Sequence, residues 1–176
     1  LAWVQTRYAG LHNQPPVPPV MLHHIPKGLA RHVENTASRK VALVLIDGLA
    51  FDQWALLREA LAGQRPALVL REAAVFAWLP TITSVSRQAA FAGRPPIYFP
   101  GSILATDKEG ALWSQFWIDK GLTQVEVAYA NGIRDEAHLA VVDECISHPR
   151  VRVVGLAVDK VDKIMHGMEL GTAGMH

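Results

Sequence analysis

The sequence predicts an α/β fold, a mostly parallel sheet with helices on both faces. Three observations carry that prediction. Apolar, β-branched runs recur along the chain, and each reads as a buried strand. Between them lie stretches whose apolar residues repeat at helical spacing. The first run also ends in Asp47-Gly48, which puts a carboxylate at a strand's carboxyl end, where open α/β sheets bind ligands.

In chain order, residues 1–38 form a proline-rich linker or arm. Pro15, Pro16, Pro18 and Pro19 occupy four of five positions, which disfavours helix and favours an extended segment. His23 and His24 follow as a pair that reads as a solvent-facing loop. The α/β region spans 39–176. Within it, Val41–Ile46 is the first strand. Residues 51–61 form a helix with Phe51, Trp54, Ala55, Leu57 and Leu61 on one stripe, stopped by Gly63. A second strand region covers 68–76. Residues 84–92 make a short helix closed by Gly93 and Pro95. Residues 112–118 are helical, with Trp113 and Trp117 four apart and facing the core. A strand at 125–129, a helix at 136–146 and a strand at 151–158 follow.

Composition bounds the function. The chain has 176 residues, half of them hydrophobic (50%) and 19% charged, enough for one domain with a true core. A net charge of +1 gives no general argument for nucleic acid or an anionic membrane, though a nucleic-acid substrate stays open. The single cysteine, Cys145, forms no internal disulfide and reads as core. No apolar run reaches the roughly 18 residues a bilayer span needs. No leader is recognisable, so a cytoplasmic location is the expectation. A first residue other than Met and a glycine-rich end suggest a piece of a longer protein.

Three segments could carry chemistry. Asp47 either binds a divalent cation or caps the next helix. Gly48 permits close backbone approach. Asp52 falls within the predicted helix and faces solvent. In 80–86, PTITSVS, Thr83 stands near a helix amino terminus, where free N–H groups and the dipole favour an anion. Its hydroxyl suits attack on phosphorus once a metal or base activates it, and the bland alternative is an N-cap. Arg87, one turn on, could approach a phosphate, but a solvated surface position is the expectation. Finally, Asp162 and His166 are four apart, so a helical turn lets both converge on one ion. Carboxylate with imidazole suits zinc or manganese better than calcium. Asp159 is a rival for Asp162, or a group that orients His166.

Taken together, Val41–Gly48 with Gln53-Trp54, then Leu79-Pro80-Thr81-Ile82-Thr83-Ser84 through Gly93, then Asp162-Lys163-Ile164-Met165-His166-Gly167 resemble the PglZ domain of the alkaline phosphatase superfamily. The resemblance covers roughly residues 40–170. It implies an alkaline-phosphatase-like core, incomplete at the carboxyl end. It implies a phosphatase or phosphodiesterase of a bacterial phage-defence system that uses two divalent ions, zinc or manganese. By the same resemblance Asp47 and Thr83 touch one ion, Asp162 and His166 the other, and Thr83 is the nucleophile. The superfamily completes its shells with an Asp-His pair and a further histidine that this chain lacks before its last residue, His176. The fragment alone is therefore expected to be inactive. A phosphoester substrate and other defence proteins are the implied partners. The rivals are a non-catalytic α/β docking module and, last, a receiver-like domain phosphorylated on Asp47 with Lys160 in contact.

Overall fold

The computed structural model describes residues 2–36 and 40–166. Gly167 and His176 lie outside them. The central feature is a three-stranded parallel sheet in the order β1-β3-β2, with β1 at Val41–Ile46, β2 at Val127–Ile133 and β3 at Val153–Val158. Val153 pairs with Val41 on one side and with Val127 on the other, so the strands start level. Their carboxyl ends therefore open at one edge. The register slips between Ala130 and Ile133, where Gly132 takes φ 67°.

Seven α-helices are described. They are α1 (Ala2–Arg7), α2 (Ile25–Glu34), α3 (Phe51–Gln64), α4 (Thr83–Ala92), α5 (Glu109–Ile118), α6 (Leu139–Ser147) and α7 (Lys160–Met165). One face of the sheet buries Val41, Val153 and Ala157 against Ala30 and Val33 of α2, Phe91 of α4, and Trp113 and Trp117 of α5. Both tryptophans are fully buried, as their spacing predicts, with their rings edge-on at 5.4 Å. The other face packs Val154 and Leu156 against Val142 and Cys145 of α6. The expected layers, helices on both faces of a parallel sheet, are present.

Several local expectations need correction. Of the predicted strands, only β3 is buried nearly throughout, because it is the central one. As an edge strand of the described sheet, β1 leaves Val44 half exposed. The segment 68–76 forms no strand; its one ladder contact is a parallel bridge from Phe76 to Met21. Leu68 and Val69 are exposed there, and among the described residues they have no neighbouring strand to join. α3 passes through Gly63 to Gln64, and none of its residues is buried. Its apolar stripe thus forms on a helix whose tertiary contacts are slight.

His23 and His24 are not a solvent-facing pair. Each is 1% exposed, and their rings stand 4.2 Å apart. His24 Nδ1 accepts from the backbone N–H groups of Val20 and Met21. The proline run ends at these residues, and Pro26 opens α2, whose Ala30 and Val33 join the core. Further upstream, the Tyr8 hydroxyl donates to the carbonyl of Ala77 and accepts from the N–H of Leu79. That pair of bonds ties the first residues to the chain just before the PTIT motif.

Candidate active site at the carboxyl edge of the sheet

Asp47 is the residue after β1, and its N–H donates to the carbonyl of Val158 at the end of β3. The two strand ends therefore deliver Asp47 and α7 to the same place. Gly48 makes the juncture close. It takes φ 77°, and a Cβ there would stand 3.1 Å from the Asp162 Cα and 2.6 Å from the Met165 Cε. A side chain is excluded twice over, by the left-handed backbone and by the adjoining helix.

α7 carries Asp162 in its first turn and ends at His166. The spacing of four brings His166 Nε2 to 3.4 Å from Asp162 Oδ1. The imidazole is largely exposed, at 70%, while the carboxylate is more sheltered. Asp159 is drawn elsewhere: Arg134, just past β2, reaches it at 3.2 Å. That pairing engages the rival aspartate from the far strand.

Thr83 occupies the first turn of α4, after the extended Ile82. Its neighbour Ser84 is buried and donates to the Ile103 carbonyl at 2.8 Å. The Thr83 hydroxyl makes no hydrogen bond within the described residues, so it is chemically the less committed of the two. Gln88, one turn beyond Ser84, fixes the 102–105 loop to the helix by donating to the Ser102 and Ala105 carbonyls. The helix amino terminus is thereby held by side chains other than Thr83.

Arg87 is not a solvated surface residue. It is 8% exposed and projects from α4 between two carboxylates. Its Nη1 lies 3.4 Å from Asp47 Oδ2, and its Nη2 lies 2.7 Å from Glu109 Oε2. Glu109 opens α5, is fully buried, and also accepts from the Tyr129 hydroxyl at 2.6 Å. Burial, with that bond to Glu109, pushes the Tyr129 phenol above its ordinary range. The chain Tyr129–Glu109–Arg87–Asp47 thus runs from the core to the sheet edge. Sequence reasoning missed Glu109 and Tyr129. One signal for Glu109 was present: it stands four before Trp113 and eight before Trp117, on the stripe that those tryptophans bury.

Burial pushes the Asp47 carboxyl above the usual carboxylate range, and the Asp162 charge adds to that against the pull of Arg87. A carboxylate whose charge is disfavoured by burial and by a neighbouring carboxylate is a place where a cation is welcome. A model of the BREX system PglZ alkaline phosphatase-like domain matches residues 25–175. The chain belongs to the PglZ family. No curated protein matches it. The PglZ match spans both strand-end motifs and the whole of α4 and α5. Among the described residues, no group of three or more histidine, cysteine, aspartate or glutamate side chains is placed to hold one ion. The donors that are present fit a divalent ion in kind: Asp47 and Asp162 are hard oxygen donors, with the His166 imidazole beside Asp162. Among the described residues no helix is long and apolar enough to cross a membrane.

Proposed function

We propose that this PglZ domain is a metal-dependent phosphatase or phosphodiesterase of BREX phage defence, working alongside other defence proteins on a phosphoester substrate. The observation that carries the proposal is the approach of the Asp47-Gly48 turn to Asp162. It brings the Asp162 charge close enough to Asp47 to help raise the Asp47 carboxyl above its usual range. A purely structural turn would not gain from that repulsion, whereas a cation site would.

Asp47 with Thr83 would hold one divalent ion, and Asp162 with His166 the other. Bound there, such ions supply Lewis acidity and lower the pKa of an attacking hydroxyl. The chain's own groups then do the following. Thr83 Oγ1 attacks phosphorus, forming a P–O bond to threonine as the P–O bond to the leaving alcohol breaks. The proton of the hydroxyl is lost to solvent, and the leaving oxygen takes one up. Water then attacks the phosphothreonine, the P–O bond to Oγ1 breaks, and the hydroxyl is restored. The first N–H groups of α4 face the negative phosphoryl oxygens during both steps. Arg87 holds Asp47 in place from below, its charge shared with Glu109.

The test is hydrolysis of aryl phosphate mono- and diesters by the full-length parent under manganese and zinc titration. Metal-dependent turnover that Thr83→Ala abolishes supports the reading. A metal-free parent with no turnover and no metal binding would leave the non-catalytic docking module as the better account.

A further inference from the structure

We infer that the chain carries a second anion site, distinct from the sheet edge, which takes a small phosphate-bearing ligand. It is a cavity of about 540 Å³ at the carboxyl end of α4, lined by Lys27, Arg94, Lys120, His23, Asp119 and Tyr98 among others. Gly93 and Arg94 close α4, so the cavity is a helix length, about 15 Å, from Thr83.

Charge is the first argument. Three cationic side chains line one concavity, with a single carboxylate among its lining residues. That carboxylate, Asp119, is already committed: its Oδ2 lies 2.7 Å from Arg94, and its Oδ1 accepts from Gln115. Lys27 and Lys120 have no ion-pair partner among the described residues. Lys27 is only partly exposed, and burial and then the charges of Lys120 and Arg94 pull its ammonium below its ordinary range. Cations held together against their own repulsion gain most from an anion between them. The same two lysines also line the adjoining groove with Arg31, where Glu34 is the carboxylate.

The second argument is independent of charge. His23 forms part of the cavity wall and is 99% buried, yet its Nδ1 has no hydrogen-bond partner. A buried ring nitrogen without a partner costs stability unless a ligand or water meets it. His24, its neighbour, spends its own Nδ1 on backbone N–H groups and so does not share this feature. Tyr98, largely exposed on the rim, carries the Arg94 guanidinium 6.0 Å over its ring. The rim thus has a flat apolar face beside its cationic group, which suits a phosphate attached to a planar group.

Pyrophosphate titration followed by calorimetry tests the site. One equivalent is expected to bind. Lys120→Ala, a change at an exposed position, is expected to weaken it about tenfold, the loss of one charge-assisted bond. Lys27→Met with Lys120→Ala is expected to abolish it, and the His23 ring resonances are expected to shift on binding to the unmodified chain. Asp47→Asn combined with Thr83→Ala is expected to leave binding unchanged, which separates this site from the proposed active site. Binding lost in that double variant but kept in Lys120→Ala would overturn the inference, as would no binding at millimolar pyrophosphate. Single-stranded DNA that binds through Lys120 while pyrophosphate does not would replace it with a polynucleotide track.

Discussion

Arg87 Nη2 lies 2.7 Å from Glu109 Oε2, and both side chains are more than nine-tenths buried. The pair links two helices, α4 and α5, behind the sheet edge. Removing one partner of a buried ion pair leaves the other charge uncompensated, at roughly 3–5 kcal/mol. Glu109→Ala is therefore expected to lower stability by about that amount in urea unfolding. Glu109→Gln keeps the shape and the bond from Tyr129 but leaves Arg87 with Asp47 alone. It is expected to fold and to depress turnover in the parent, because Asp47 becomes Arg87's one charged partner. Equal stability of Glu109→Ala and the unmodified chain would show that Arg87 is satisfied without Glu109.

Gly48→Ala is expected to destabilise by roughly 1–3 kcal/mol, the range for a strained non-glycine backbone. The added Cβ meets the Met165 side chain, which can move, and the Asp162 Cα, which is backbone. The Asp162 backbone must then give by a few tenths of an ångström, away from Asp47. Gly48→Ala is thus expected to weaken metal binding by the parent as well as stability. A variant with unchanged melting temperature and metal affinity would show that the Asp47 turn does not hold α7.

How much of this was legible beforehand depends on how local the signal is. Val41–Ile46 and the Gly93 stop are read from single windows, and both were predictable. Asp162 and His166 form one window too, and their approach follows from helical spacing. What escaped was non-local. The residues of 68–76 have strand composition, but the described residues give them no strand to pair with. His23 looked like a loop residue because nothing in its own window says that Trp78 will lie 5.2 Å away. Glu109 joins Arg87 across 22 positions, a partnership that only the packing of α4 on α5 creates.

Thr83→Ala is expected to abolish phosphoester hydrolysis by the full-length parent while leaving its fold intact, since the hydroxyl has no hydrogen bond within the described residues. Ser84→Ala is the informative contrast. It deletes the bond to Ile103 and is expected to cost about 1 kcal/mol with turnover largely kept. The reverse pattern, with Ser84→Ala inactive and Thr83→Ala active, would move the nucleophile to the next residue. Thr81→Ala, at an exposed position before α4, completes the comparison.

Acid sensitivity is expected to centre on His23. Burial, then the charges of His24, Lys27 and His12, push its imidazole down from the usual 6.5 to about 3. The unfolded chain therefore binds a proton that the folded chain refuses between those values. The stability that neutral His23 contributes is fully present above about pH 6.5 and falls as the pH drops toward 3. The slope is at most about 1.4 kcal/mol per pH unit for one proton. His24 is lowered as well, chiefly by burial, and adds to the slope. His23→Gln removes the first proton and gives up no bond at Nδ1, which has no partner to lose. Urea unfolding at pH 4, 5, 6 and 7 is expected to show a shallower dependence in His23→Gln than in the unmodified chain. Parallel curves would mean that the folded chain does not hold the His23 imidazole below its ordinary range, and would overturn the prediction.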